Sequence, residues 1–338
     1  MEVPGHPELE SVLKKAQEHS EKALRLAEEF GYQPYMIRRY IEMLGDEGAL
    51  ELLRANEKPL PEYLRCNDYL IECDALASRL EAKGVSLRHE PRFSPLAYRI
   101  LSSPVAPGAL HEHLLGYYYL QGPASMSVVH ALEPEPGDKA LDMAAAPGGK
   151  ATQILQLARD NALLLAVEKS RRRMRSLRAN MQRMRFTRYI LLRSDSRFLP
   201  LRGVFDKVLL DAPSTGEGII RKDPSRKRSR TPRDLAIIHG LQVEMLLKAI
   251  DYARSGATIV YAACTLAPEE GEMVIDAVLR EAGGRVDVER LPIKSPSPGI
   301  TRYFGVDLDP RVRYCGRFWP HIHDSEGFFL CRLVKLRD

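Results

Sequence analysis

Apolar positions in the first sixty residues recur at helical spacing: Leu24, Leu26 and Ala27, then Ile37, Tyr40, Ile41 and Leu44. Such spacing predicts helices over 8–55, with Gly31 and Gly45 as breaks. Lys58-Pro59-Leu60-Pro61 reads as a connector. Beyond it, short segments at 62–66 and 98–101 flank a helical stretch over 73–83 that stops at Gly84, which is the pattern of a small α+β module. From about residue 135 the rhythm becomes regular. Apolar runs at 139–143, 163–167, 189–192, 207–210, 258–262, 286–291 and 328–336 alternate with helix-length segments at 149–159, 170–183, 233–253 and 268–282. Strands joined by helical crossovers lie parallel, with helices on both faces of the sheet. The helix at 233 has a defined start: Thr231 as N-cap, Pro232 in the first position and Asp234 in the third. The expected order is a helical region over 1–58, an α+β module over 59–128 and a mostly parallel α/β unit over 129–338.

Composition narrows the field. No apolar run in the 338 residues approaches the roughly 20 needed to span a bilayer, so no membrane partner is expected. The start MEVPGHPELE lacks a basic stretch followed by an apolar one, so no secretory signal is expected and the chain reads as cytoplasmic. Five cysteines (Cys66, Cys73, Cys264, Cys315, Cys331) are scattered without a CxxC pair, which argues for a reducing compartment and against both a metal site and a disulfide framework. Asparagine occurs only four times, a hint of a thermophilic source. The first sixty residues hold 12 acidic and 8 basic side chains, leaving 42 basic against 33 acidic for the rest. The positive excess therefore belongs to the larger part of the chain, where it reads either as a polyanion-binding surface or as ordinary solvated surface.

In parallel sheets ligands bind beyond the carboxyl ends of the strands, so chemistry is sought in the loops there. After 139–143 comes Ala144-Ala145-Ala146-Pro147-Gly148-Gly149-Lys150. Small residues admit a ligand close to the backbone, and the following helix start offers free N–H groups; the loop is not GxxxxGK[ST], so a P-loop is disfavoured. Glu168 ends the next strand, 20 residues beyond Gly148, where a carboxylate can accept from both hydroxyls of a ribose; singly it is more often a surface acid. Asp195 holds the analogous place one strand on, either as an acceptor for an adenine amino group or as a turn former. The third loop, Asp211-Ala212-Pro213-Ser214-Thr215-Gly216-Glu217-Gly218, puts an acid at a buried strand end. The fourth, Ala263-Cys264-Thr265-Leu266-Ala267-Pro268-Glu269-Glu270, sets Cys264 at the mouth of the cleft, near a helix start that favours a thiolate.

These segments resemble one family, the Nop/Sun (RsmB-like) RNA cytosine-5 methyltransferases. The likeness runs in order through YYYLQGPASM (117–126), LDMAAAPGGKA (141–151), FDKVLLDAPSTGEG (205–218), RKDP (221–224), YAACTLAPEEGE (261–272) and RFWPHIHDSEGFF (317–329), with LRCND (64–68) similar to the family's small RNA-binding domain. The resemblance implies a Rossmann-like class I methyltransferase domain with a seven-stranded sheet, an RRM-like module before it, and S-adenosylmethionine as cofactor. It implies Cys264 as the nucleophile that adds to cytosine C6 and Asp211 as the group facing N3. Ala144, Ala145, Ala146, Pro147, Gly148, Gly149 and Lys150 would hold the methionine part, Glu168 the ribose and Asp195 the adenine, with Arg173, Lys150 and Asp211 in support.

One residue departs from the pattern. The family usually carries a second cysteine, assigned to product release, where this chain has Ser214, and a hydroxyl is a poor base at neutral pH. Release promoted by water, Asp211 or another group, slow release, or an inactive relative are the readings this leaves; the first is favoured because nucleophile, cofactor loop and Asp211 are retained. Ala144, replacing another common cysteine, reads as neutral packing. On the substrate side, residues 221–233 carry seven basic side chains and one acid. Arg221, Lys222, Arg226, Lys227, Arg228 and Arg230 are the candidates for phosphate contact, a disordered solvated loop being the plainer reading. Arg171, Arg172, Arg173, Arg175, Arg178, Arg183 and Arg185 form a second basic stretch. Tyr117, Tyr118, Tyr119, Phe318 and Trp319 could stack on bases, though core packing is the commoner fate of each. The expectation is a monomer that methylates RNA, tRNA ahead of rRNA, without a metal; a catalytically impaired RNA-binding or assembly factor that keeps the cofactor site is the alternative.

Overall fold

The computed structural model describes residues 5–337. Helices Leu9–Ala16, Glu21–Phe30 and Pro34–Asn56 open the chain, with Gly31 capping the second in the left-handed region (φ 73°) and Gly45 (φ 68°) breaking the third. Their apolar faces close on Ile220, Leu235, Leu266 and Trp319, so the helical region shares a core with the loops of the α/β unit.

Residues 62–120 build a four-stranded antiparallel sheet. Its strands Glu62–Cys66, Ser86–His89, Ala97–Ser102 and Tyr118–Leu120 pair with the first strand between the third and the fourth, and helix Cys73–Glu81 crosses between the first and second.

The larger sheet has nine strands rather than seven. Tyr189–Leu192, Leu163–Val167, Lys139–Asp142, Phe205–Asp211 and Ala253–Ala263 run parallel in that spatial order. Phe328–Lys335 then pairs antiparallel with Ala253–Ala263, and itself pairs with Gly316–Phe318 and Val286–Glu289. The three-residue strand Gly316–Phe318 and the two-residue strand Ser297–Pro298 are too short to show a period-two pattern, which is why the sequence count fell short. Along the central strands Leu141, Val208 and Ile259 face one helical layer while Ala140, Leu209 and Val260 face the other. Helix Pro232–Tyr252 begins with the expected cap, completed as a reciprocal pair: Asp234 N–H donates to Thr231 Oγ1 (3.3 Å) and Thr231 N–H to Asp234 Oδ2 (2.8 Å).

The cysteines correct the sequence reading. Cys66 and Cys73 form a disulfide, as do Cys315 and Cys331, with Cα atoms 5.9 and 4.3 Å apart. Neither pair is a CxxC: the first joins a strand end to the next helix start and the second joins the residue before the strand Gly316–Phe318 to the neighbouring strand Phe328–Lys335, so the pairing is tertiary and invisible as spacing. Cys264 is the one free thiol among the described residues. Disulfides remove the argument for a reducing compartment; intracellular proteins of hyperthermophiles are the known exception to that rule. Of the aromatic candidates, Tyr118, Tyr119, Phe318 and Trp319 are buried in the cores.

Candidate active site

The sheet order reverses between Lys139–Asp142 and Phe205–Asp211, the point where an open α/β sheet leaves a crevice. A cavity of about 600 Å³ lies there, walled by Ala144, Glu168, Arg173, Asp195, Asp211, Ser214 and Cys264 together with the apolar Met143, Pro213 and Met245. Residues far apart in sequence meet because five parallel strands end on the same edge.

The small-residue loop is built into the sheet. Ala145 N–H donates to Val167 O (2.9 Å), and Gly148 turns the chain with φ 109°, a conformation only glycine adopts without strain. Arg173 donates to Ala146 O and Asn180 to Pro147 O (2.9 Å), so the next helix pins the loop from outside. Ala145, Ala146 and Gly148 are buried, and of the seven loop residues Ala144 lines the cavity.

Glu168, nearly buried, accepts from Ser170 N–H (2.7 Å) and lies 3.6 Å from Arg173. Asp195 is gripped by Arg197 (3.0 and 2.8 Å) and by Lys169 (2.9 Å), and the Arg197 hydrogen bonds hold its carboxyl well below the usual range. Lys150 Nζ donates to Asp211 Oδ2 at 2.8 Å and stands 5.4 Å from the centre of the Phe328 ring. Burial opposes the Lys150 charge, but Asp211, with Cys264 and Asp142 adding to it, holds the ammonium above its ordinary value. At Cys264, burial pushes the thiol up, the Asp211 charge adds to the effect, and Lys150 opposes it. The free protein therefore carries Cys264 as a thiol. Ser214 Oγ reaches the Cys264 carbonyl at 3.4 Å, a long contact.

Three polar residues were missed in the sequence. Asp142, fully buried, accepts from Ala144 N–H (3.2 Å), and burial followed by the Asp211 charge pushes its pKa up to about 7. Glu270 accepts from Thr215 N–H (2.6 Å), Thr215 Oγ1 (2.9 Å) and Thr265 Oγ1 (2.5 Å), tying together the residues that follow Ser214 and Cys264. Arg65, fully buried, crosses from the smaller sheet to donate to Gly149 O (2.7 Å) and Thr152 Oγ1 (2.8 Å). Asp142 had a signal, as the acid closing an apolar strand before the loop; Glu270 stood in the fourth loop and Arg65 in LRCND, but nothing in the sequence gave either a role at the site.

The basic run at 221–230 does not line the cavity. Arg221 is buried against Lys58 O, Pro59 O and Asp324; Lys227 pairs with Glu57 and donates to Phe30 O; Arg228 donates to Gly31 O. Helix Glu21–Phe30 has no basic residue in its own last turn, and Lys227 and Arg228 supply the cations its C-terminal carbonyls attract. Arg226 and Arg230 donate to Thr215 O (3.2 and 3.3 Å) and steady the Asp211 loop. Only Lys222 of the six has no side-chain partner among the described residues.

The family described as 16S rRNA methyltransferase RsmB/F matches residues 129–334. The chain belongs to this family. Among RsmB/F relatives, the 25S rRNA (cytosine-C(5))-methyltransferase nop2 of Schizosaccharomyces pombe is 33% identical over 315 residues, covering 91% of this chain and 52% of that protein. The tRNA (cytosine(72)-C(5))-methyltransferase of Pyrococcus horikoshii is 35% identical over 224 residues, covering 66% of this chain and 54% of that one. A crystal structure of a methyltransferase homolog protein from Pyrococcus horikoshii superposes with a TM-score of 0.84 at 33% identity, covering 94% of this chain and 100% of the other. The chain spans between 38% and 64% of the length of curated rRNA relatives such as nop2.

Proposed function

We propose that this RsmB/F-family protein is an S-adenosylmethionine-dependent RNA cytosine-5 methyltransferase working through a covalent bond between Cys264 and cytosine C6. The observation that carries the reading is that Cys264, the one free thiol among the described residues, shares a cavity with Asp211, whose carboxylate is held from behind by Lys150.

The donor set fits the cofactor. Glu168 and Asp195 present carboxylates at consecutive strand ends, Met143 and Met245 supply apolar wall, and the helix Gly149–Leu157 points its N-terminus at the loop. Ala144 to Lys150 would hold the amino-acid end, Glu168 the ribose hydroxyls and Asp195 the adenine, with Arg173 fixing the loop. When bound, S-adenosylmethionine supplies an electrophilic methyl group.

The protein's own work is to make C5 nucleophilic. Asp211 takes the proton of the Cys264 thiol as the base enters and shares it with cytosine N3, so the charge that develops on the ring is neutralised where it forms, while Lys150 stays an ammonium. That engagement also removes the negative charge that keeps Cys264 protonated, leaving Lys150 to favour the thiolate. Thiolate formation is thereby coupled to arrival of the base. The S–C6 bond forms, the ring electrons pass to C5, and after methylation the C5 proton leaves and the S–C6 bond breaks. Ser214 does not supply a thiolate for that last step, so a water or Asp211 takes the proton. Because C6 is stacked inside a helix, the target base must be unpaired or flipped.

The smaller antiparallel sheet over 62–120 serves as the RNA-binding module in this reading, which also holds the chain to be a cytoplasmic monomer that needs no metal. The size of the chain, with no room for a large further RNA-binding domain, favours tRNA, while the likeness to the nop2 rRNA enzyme spans 91% of the chain, so rRNA stands beside tRNA as a substrate. The test is incubation of the purified protein with S-adenosylmethionine and each RNA, followed by nucleoside mass spectrometry. 5-Methylcytidine in either RNA supports the reading. Cofactor and RNA binding without any 5-methylcytidine would replace it with an assembly factor.

A further inference from the structure

The helix Arg171–Arg183 is built against its own interest. Met174, Leu177 and Met181 bury one face, while Arg171, Arg175 and Arg178 form an exposed stripe at i, i+4 and i+7 on another, with Arg172 exposed beside it. Like charges at that spacing repel. Three arginines, Arg171, Arg172 and Arg173, also occupy the first turn, where the helix dipole favours anions, and no acidic residue lies in that turn. Elsewhere the protein neutralises such groups, as with Arg197 by Asp195 and Glu244, or Arg317 by Glu272. Arg171, Arg172, Arg175 and Arg178 have no ion pair or hydrogen-bond partner for their side chains among the described residues.

The position of the helix gives the stripe an address. Its start is at the cavity, since Ser170 and Arg173 line the wall beside Glu168. Its far end is tied to the smaller sheet: Arg183 donates to His113 O (2.6 Å) and Tyr118 O (3.1 Å), and Asn180 to the Tyr119 hydroxyl (3.3 Å). The free guanidiniums thus bridge the cavity rim and the smaller sheet, whereas five of the six basic side chains singled out at 221–230 are spent on partners within the chain.

We propose that the stripe Arg171, Arg175 and Arg178, with Arg172, is the main phosphate-contacting surface for the RNA substrate, guiding the backbone from the smaller sheet to the cavity. The proposal rests on the reading of the protein as an RNA enzyme, and charge complementarity selects a nucleic-acid backbone as the occupant. The repulsion built into the helix is relieved when phosphates arrive.

The test is the salt dependence of binding to a fluorescein-labelled single-stranded oligoribonucleotide and to bulk tRNA, by anisotropy. It compares the wild type with the triple variant Arg171→Gln, Arg175→Gln, Arg178→Gln. Loss of three phosphate contacts lowers the slope of log affinity against log salt by about 2, at about 0.7 for each contact to a single strand. The thermal midpoint of the triple variant is expected to equal or exceed that of the wild type, because repulsion has been removed, which separates lost binding from lost folding. The triple lysine variant should keep the slope. Equal slopes and affinities for wild type and the glutamine variant would overturn the proposal. Binding needs no methyl transfer, so a protein that binds RNA through this stripe yet makes no 5-methylcytidine refutes the enzymatic reading alone.

Discussion

Lys150 Nζ lies 2.8 Å from Asp211 Oδ2, joining the loop after one central strand to the end of the strand beside it. The pair sits across the switch point of the sheet and sets the electrostatics of Cys264 from both sides, with Asp211 raising the thiol pKa and Lys150 lowering it. Replacing Lys150 by Met leaves Asp211 without its ion-pair partner and Cys264 facing an uncompensated carboxylate. Methyl transfer should fall by about a hundredfold or more, the cost of removing one preorganised group that stabilises developing charge. Steady-state kcat for Lys150→Met against wild type is the measurement.

The same electrostatics predict how the free thiol titrates. In the absence of RNA, alkylation of Cys264 by iodoacetamide should be slow at neutral pH and still rising with pH well above the range of an ordinary cysteine, since burial and Asp211 both oppose the thiolate. Asp211→Asn should speed alkylation at a given pH and Lys150→Met should slow it. Mass spectrometry resolves the site, because the other four cysteines are paired.

Asp142 makes stability depend on pH. Its pKa is pushed up to about 7, so between about pH 4 and pH 7 the folded chain keeps a proton that the unfolded chain has released. The Asp142 contribution to stability should fall as pH rises through that window and level off above it, by about 1.4 kcal/mol for each unit of displacement as an upper bound, while His113, His130 and His239, lowered to about 4 by burial, contribute with the opposite sign. Asp142→Asn, which cannot lose a proton, should remove the Asp142 share, so the variant gains on the wild type as pH rises through the window; Glu270, also raised to about 7, contributes in the same direction as Asp142. Chemical denaturation across pH 4–8 reads the difference.

The Cys315–Cys331 disulfide spans 16 residues and staples a short outer strand to Phe328–Lys335. Opening it with a double substitution to Ala and Val should cost about 3 kcal/mol, the loop-closure value for that span. Denaturant midpoints of the variant and the wild type, both without reductant, are the comparison.

Much of this was legible in the chain. The strands at 163–167 and 189–192 and the start of the helix at Pro232 follow directly from apolar runs and from the Thr231, Pro232, Asp234 signal, because local rules govern them. Glu168, Asp195, Asp211 and Cys264 could be placed on one edge because parallel topology forces strand ends together. What escaped depends on distance in three dimensions. The Cys66–Cys73 and Cys315–Cys331 pairs need strand register, Arg65 needs the docking of one sheet on another, and Glu270 needs two loops brought side by side. Arg221 looked free in a basic run, yet it is buried against Asp324, a residue 103 positions away. Charge counts show how many cations a segment holds, and the fold decides which of them are spent.

The central claim is that Cys264 forms the bond to C6 of an RNA cytosine. It is tested most directly by replacing the target cytosine with 5-azacytosine, whose nitrogen at position 5 leaves no C5 proton to remove, so that an adduct once methylated is not released. Denaturing electrophoresis of labelled RNA then reports covalent capture. The account predicts an RNA–protein band with the wild-type protein and S-adenosylmethionine, and none with Cys264→Ala. Equal capture by both proteins would contradict it.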